Sequence, residues 1–332
     1  MTEPVRLVGD VGGTNARFAL VDARDAGAYV NQRTLACVDF ETPEDAINAY
    51  LAELGAGAPE RICIAAAGPV VDGGVRFTNN AWTLRQDRLQ RCFGCAAVRV
   101  ANDFEAIAHA LPLLRPGDLL SLGERSPRLP PRDGFRLAVV GPGTGLGAAA
   151  LLGSAAGAQA RATAIVSEAG HAGFAPESPL QDALARELRH RFGRISAERL
   201  VSGPGVENLY WALARVHGHA AEASDAATIF AAAEAGTDAL AAETVALFHE
   251  LLGQVAGDFA LAVGAADGVF IAGGVAQRAP ALLANSRFRE GFENKGRHRT
   301  LLEAVPTALI THPQPGLLGA VALLDQLDGA SR

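Results

Sequence analysis

Gly9-Asp10-Val11-Gly12-Gly13-Thr14-Asn15-Ala16-Arg17 lies between two short apolar runs, Val5-Arg6-Leu7-Val8 and Phe18-Ala19-Leu20-Val21. Both runs read as strands, which makes the glycines the turn of a β-hairpin. Glycine loops that deliver phosphate to a helix N-terminus join a strand to a helix, so here the turn itself has to bind. Glycines let bare backbone N–H groups converge on an anion. Thr14 and Asn15 add side-chain donors, and Asp10 offers a carboxylate to a hydrated Mg²⁺. The same letters suit an ordinary hairpin turn, which favours Gly and Asn on conformational grounds. On this stretch alone both readings stand.

The chain has 332 residues, enough for about two domains, and its 49% hydrophobic and 20% charged residues are the balance of a soluble globular protein. Its net charge is −7, without a basic cluster interleaved with aromatics. Neither nucleic acid nor an anionic membrane surface is an expected partner. The N-terminal residues lack the basic flank and apolar core of a signal peptide. The apolar stretch Val255–Ala276 is interrupted by Asp258 and Asp267, which argues against a membrane span. A cytoplasmic location is the expectation. Of the four cysteines, Cys92-Phe-Gly-Cys95 has metal or redox spacing, but no second Cys or His pair at zinc spacing accompanies it. Lysine is more decisive. Lys295 is the only one and stands far from any glycine loop, whereas P-loop NTPases and protein kinases need a lysine beside the phosphates.

After the hairpin, a strand is expected near Thr34–Phe40, a helix over Pro43–Leu54, a buried strand at Arg61–Ala67 and another at Ala97–Ala101 leading into a helix from Asn102-Asp103. Pro112–Gly134, rich in Pro, Gly and charge, reads as a linker. A strand at Phe135–Val140, the turn Gly141-Pro-Gly-Thr-Gly-Leu-Gly147 and the apolar run Ala148–Leu152 then begin a second half in the manner of the first. Helical patterns follow over Leu180–Phe192, Val206–His217 and Ala226–Val263. A strand, Gly268–Ala272, opens into Gly273-Gly274 with a helix expected after it, and Pro315–Asp325 reads as a last helix. The mixture of a meander with βαβ units predicts an α/β protein with mixed sheets.

Three glycine turns thus follow three apolar strands, at Gly9–Thr14, Gly141–Gly147 and Gly273-Gly274. The middle one, Gly143-Thr-Gly-Leu-Gly-Ala148 with Glu168 about 20 residues on, also fits a degenerate dinucleotide fingerprint and so a nicotinamide dehydrogenase. In this order and spacing the three resemble the two phosphate loops and the adenosine loop of actin/hexokinase-like sugar kinases. Within that superfamily the chain resembles the bacterial glucokinases of the non-ROK type. The matches are Leu7–Arg17, Thr78-Asn-Asn-Ala-Trp82, Asn102-Asp-Phe104, Gly143-Thr-Gly-Leu-Gly147, Glu168-Ala-Gly-His171, Ser196-Ala-Glu-Arg199, Ser202-Gly-Pro-Gly205, Phe270-Ile-Ala-Gly-Gly274 and Pro315-Gly-Leu-Leu-Gly319. Ala169 departs from the Gly usual in the family, and Gln314 from the usual Asn. No Cys-rich zinc motif stands beside His171, which separates the chain from the ROK branch.

The resemblance implies the duplicated actin-like ATPase (ribonuclease H-like) fold: two α/β domains with mixed sheets flanking a cleft, 1–112 plus about 315–332 and 113–314. It implies phosphorylation of glucose at the 6-hydroxyl by ATP, with domain closure over the sugar, and a homodimer. Gly9, Asp10, Val11, Gly12, Gly13, Thr14, Asn15, Gly143, Thr144, Gly145, Gly273 and Gly274 would hold ATP, with Asp10 on Mg²⁺ through water. Asn102, Asp103, Glu168, His171 and Glu198 would bind the sugar, whose hydroxyls each need a donor or an acceptor. Asp103 would act as general base. Read without the family, Asp103 also suits a helix N-cap, Glu198 a solvated first-turn residue, and Glu168 and His171 a surface loop. A sugar-sensing regulator of the same fold without turnover is the alternative function.

Overall fold

The computed structural model describes residues 5–22, 25, 27–77, 80–129, 131, 134–154, 162–220 and 223–330. Thr78 and Asn79 of the Thr78–Trp82 motif lie outside the described residues. The chain divides into two compact units, Met1–Leu114 with Gly157–Val166 and His312–Arg332, and Arg115–Ala156 with Ser167–Thr311.

The first unit holds β1 (Arg6–Val11), β2 (Asn15–Val21), β3 (Tyr29–Ala36), β4 (Arg61–Ala66), the small pair β5 (Gly74–Arg76) and β6 (Thr83–Arg85), and β7 (Ala97–Asn102). Its main sheet has the order β3-β2-β1-β4-β7. The first three strands are antiparallel, and β1, β4 and β7 run parallel. Side chains alternate between two cores, as a pleated strand dictates. Leu7, Ile62 and Ile64 join Phe18 and the apolar positions of helix Pro43–Glu53 on one face. Val8, Cys63, Ala65 and Ala101 face helix Pro315–Ala330 on the other.

That second face is built from small side chains, so the C-terminal helix can settle close. It also crosses helix Asp103–Ala110 closely, because a Cβ on Gly319 would overlap the Ala106 carbonyl. The crossing buries His109, which burial and, after it, Arg99 push down to about 4, and which hydrogen-bonds Gln326 at 3.2 Å. Gly319→Ala is therefore expected to destabilise the chain by about 1–3 kcal/mol, as overpacking against fixed backbone does. A denaturation midpoint equal to that of the parent would overturn this account of the crossing.

The second unit adds β8 (Leu119–Ser121), β9 (Arg136–Pro142), β10 (Leu146–Gly153), β12 (Gly268–Ile271) and β13 (Thr307–Ile310), whereas β11 (Ala162–Ser167) belongs, up to Val166, to the first unit. Within the unit the strand order is β10-β9-β12-β13-β8. β10 and β9 form an antiparallel hairpin, and β9, β12 and β13 run parallel. β1, β2, β4 and β7 of the first unit thus correspond to β9, β10, β12 and β13 of the second. The duplication lies in topology, not in letters.

Three sequence expectations need correction here. The strand expected near Thr34–Phe40 is Tyr29–Ala36, and Cys37–Asp39 is a single 3₁₀ turn. The Pro112–Gly134 linker contains β8, a three-residue strand held antiparallel to β13 and too short to read from its own pattern. The helical run Ala226–Val263 is two helices, Ala226–Ala235 and Ala239–Val263. Gly236 ends the first in the left-handed region, and Asp238 caps the second by accepting from the N–H groups of Leu240 at 2.8 Å and Ala241 at 3.2 Å. Helix Ala239–Val263 is long and apolar enough to cross a membrane, yet 67% of its most apolar window is buried. Its Gly253 lets helix Phe288–Glu293 approach to where a Cβ would overlap the Phe288 carbonyl. It is a core helix.

Candidate active site

In the first unit the site residues gather at the carboxyl ends of parallel strands, where ligands bind in open α/β sheets. Val11 and Asn102 both register with Ala66 of the intervening β4. Asp10, one residue before that level, and Asp103, one residue after it, therefore stand at the ends of β1 and β7, two strands apart in the sheet.

Gly9 and Val11 are strand residues rather than turn residues. Gly9 serves packing, since a Cβ there would meet Phe18 at 3.1 Å and Ile64 at 3.3 Å. The turn proper is Gly12–Thr14, closed by the Gly12 N–H on the Asn15 carbonyl at 2.9 Å. Neither Gly12 nor Gly13 uses a positive φ, and a Cβ on Gly12 would touch nothing nearer than the Asn15 carbonyl at 3.8 Å. The chain itself does not require that glycine.

Asp10 faces Arg17 across the hairpin at 3.6 Å. Burial pushes its carboxyl above the ordinary range, and Arg17 offsets this only in part. Gly316, in the first turn of the C-terminal helix, leaves room for that carboxylate, whose Cγ lies 2.9 Å from where its Cβ would be.

Asn102, not Asp103, caps helix Asp103–Ala110. Its Oδ1 accepts from Phe104 N at 2.9 Å and Glu105 N at 3.2 Å, and Glu105 Oε2 accepts from Asn102 N at 3.3 Å. This is a complete capping box. Asn102 Nδ2 donates to the Gly68 carbonyl at 3.0 Å. Asp103 is the first residue of the helix, half-buried; its Oδ1 accepts from Phe104 N at 3.0 Å.

In the second unit, Glu168, His171 and Glu198 are brought together against the middle glycine loop. Ala169–His171 is a single helical turn seated so closely that a Cβ on Gly170 would overlap the Leu146 carbonyl. Ala197 N donates to the Ala172 carbonyl at 3.0 Å, which carries Glu198 to the same place. Glu198 Oε2 accepts from Leu146 N at 3.0 Å and stands 2.6 Å from where a Cβ on Gly145 would be. Glu198 is thus a support of the loop, not only a sugar candidate. Glu168 and His171 are exposed.

The Gly143–Gly145 loop joins the antiparallel β9 and β10. No helix follows it directly, which removes the dinucleotide-fingerprint reading. Gly203 N, at the start of helix Gly203–Val216, donates to Gly143 O at 2.8 Å. Gly273 lies beside the same loop with φ 87° and a Cβ position that overlaps the Pro142 carbonyl. Gly143 and Gly274 have ordinary φ, as Gly12 does, and open space where a Cβ would go. Thr144 is exposed at the tip.

In each unit a glycine hairpin turn stands at the carboxyl end of a mixed sheet, the architecture of the actin-like ATPase fold. The Glucokinase family model matches residues 7–327. A glucokinase of Caulobacter sp. (strain K31) is 43% identical over 319 residues, covering 96% of this chain and 94% of that protein. The crystal structure of a glucokinase from an Antarctic psychrotroph superposes with a TM-score of 0.88 at 37% identity, covering 97% of this chain and 99% of that one. A glucokinase from Balamuthia mandrillaris in complex with glucose shares the fold, with a TM-score of 0.75 at 21% identity over 97% and 94% of the two chains. The chain belongs to the glucokinase family.

Proposed function

We propose that this chain transfers the γ-phosphoryl group of ATP to the 6-hydroxyl of glucose, the specific form of the ATP-dependent glucose phosphorylation that defines its family. One observation carries the assignment of the nucleotide site. Gly12, Gly143 and Gly274 follow parallel strands at their carboxyl ends, and neither backbone conformation nor packing asks for glycine there. Close approach of a ligand to bare backbone does. The Gly12–Asn15 turn and the Gly143–Gly145 loop take the phosphates through N–H groups, and Gly273-Gly274 flanks the adenosine.

Asp10 fits Mg²⁺. Its carboxylate is half-buried, with Arg17 at 3.6 Å compensating its charge only in part, and among the described residues no three His, Cys, Asp or Glu side chains form a chelating group. A lone carboxylate suits an ion that keeps its waters and leans on phosphate oxygens. When bound, Mg²⁺ neutralises charge on those oxygens.

For the sugar, Asn102 keeps one amide hydrogen beyond its bond to Gly68, and Glu198 keeps Oε1 beyond its bond to Leu146. Glu168 and His171 supply an acceptor and a donor. Asp103 takes the proton of the attacking hydroxyl. An ordinary carboxylate is too weak a base to make an alkoxide in advance, so the proton moves late in a loose transition state. Most of the acceleration then comes from alignment and from donors on the phosphoryl oxygens.

The reading is tested with purified protein, MgATP and a panel of hexoses, following ADP formation and locating the phosphate by NMR. Glucose-dependent ADP with phosphate on the C6 oxygen is expected. Glucose binding without ADP would instead indicate a sugar sensor, and phosphate on another hydroxyl would move the general base. Gly12→Ala is expected to raise KM for ATP about tenfold, the scale of one hydrogen bond to a charged group, at nearly unchanged Tm. Gly9→Ala is expected to do the reverse, lowering Tm through its contact with Phe18.

A further inference from the structure

All three carbonyls of the Gly12–Thr14 turn are held by donors of the protein. Gly12 O accepts from Cys37 Sγ at 3.6 Å, Gly13 O from Asn80 Nδ2 at 3.0 Å, and Thr14 O from Cys37 N at 2.8 Å. The C=O and N–H of a trans peptide point in opposite directions. Each anchor therefore also aims an N–H, of Gly13, Thr14 and Asn15 respectively, away from itself. This matters most at Gly13, because Gly12-Gly13 is a very permissive pair. Rotation of the Gly13–Thr14 peptide would put a carbonyl lone pair where the Thr14 N–H had been. Toward a phosphate oxygen, that exchanges attraction for repulsion.

Asn80 is itself firmly set. Its Oδ1 accepts from Trp82 N at 2.9 Å, an Asx turn. Trp82 is 3% exposed, and its Nε1 donates to the Phe40 carbonyl at 3.0 Å. Phe40 N donates in turn to the Cys37 carbonyl at 3.3 Å. The anchors at Cys37 and Asn80 thus share one buried support.

We propose that Asn80 is a positioning residue for the phosphoryl donor: by clamping the Gly13 carbonyl it keeps the Thr14 N–H turned toward the ATP phosphates. The proposal rests on the reading of Gly12–Asn15 as a phosphate site. It gives a task to the described part of the Thr78–Trp82 motif, for which the sequence suggested none.

Asn80→Ser tests it. Serine keeps an acceptor for the Trp82 N–H but does not reach Gly13 O. KM for ATP is expected to rise about tenfold or more. KM for glucose, Tm and the affinity for adenosine, which carries no phosphate, are expected to stay near the parent values. Should the serine variant fail to fold, Asn80→Asp carries the test, since it keeps the Asx turn and sets an oxygen against Gly13 O.

Gly12→Ala, measured alongside, separates the two layers. If both variants bind ATP normally, the hairpin is not a phosphate site and the clamp falls with it. If Gly12→Ala weakens ATP binding and Asn80→Ser does not, the clamp alone is overturned. A raised KM for glucose at unchanged KM for ATP would assign Asn80 to the sugar, and equal loss of ATP and adenosine affinity would mean general loosening. Either result overturns the proposal.

Discussion

Asp103→Asn is expected to lower kcat by about 10²–10⁴-fold, the range for losing a general base, while glucose still binds. The local structure makes this a clean experiment. Helix Asp103–Ala110 is capped by Asn102, whose Oδ1 takes the N–H groups of Phe104 and Glu105, so the substitution does not uncap it. An asparagine at the first helical position can still accept from Phe104 N, as the carboxylate does at 3.0 Å. It loses the capacity to take a proton. No neighbour on the helix is placed to substitute, because Glu105 is committed to Arg99 at 2.6 Å and to the Asn102 N–H. Steady-state turnover and calorimetric glucose titration check both halves, and near-normal kcat in the variant would sink the assignment.

Asp10→Asn is expected to abolish most turnover and yet raise Tm at neutral pH. Burial holds the Asp10 carboxyl above its ordinary value, with Arg17 only partly opposing it. A group whose folded pKa is raised binds its proton more tightly in the folded chain than in the unfolded one. Folding is then favoured at acid pH, and that contribution is lost as pH rises from the ordinary carboxylate value through the raised folded one. Above that window the ionised Asp10 is a net cost to stability, which the neutral amide removes. The same partly compensated charge is what a cation beside phosphates would use. Calorimetric Tm of the two proteins in the absence of nucleotide, at pH 7 and near pH 4, gives the sign. The stabilisation should shrink toward acid pH. A lower Tm at pH 7 together with retained activity would remove Asp10 from the metal site.

Much of the fold was legible because its strands are short apolar runs punctuated by glycine. β1, β4, β9 and β12 could each be placed that way. β13 could have been found as well, since Thr307-Ala-Leu-Ile310 is an apolar run between Pro306 and Pro313. β8 could not, because three residues carry no period and only pairing with β13 makes them a strand. The site was legible as a set of residue types and less so as a set of roles. Asn102 and Asp103 are adjacent letters, either of which could cap a helix, and backbone geometry alone selected Asn102. Glu198 reads as a first-turn acid, yet its carboxylate braces a loop 52 positions away in sequence through Leu146 N.

The Gly9–Arg17 stretch by itself determined a strand–turn–strand unit and excluded a lysine-bearing phosphate loop, because residue type and spacing govern local backbone choice. Together with its two companion glycine turns it pointed to the sugar-kinase superfamily, and the further motif matches along the chain to the family. Tertiary structure alone decided which glycines serve the fold and which leave backbone bare. Gly9 packs under Phe18, Gly319 admits a helix crossing, and a Cβ on Gly12 would meet only an ordinary contact at 3.8 Å. A missing side chain looks the same in every one of those letters. The difference lies in what the rest of the chain brings within reach of the place a Cβ would occupy.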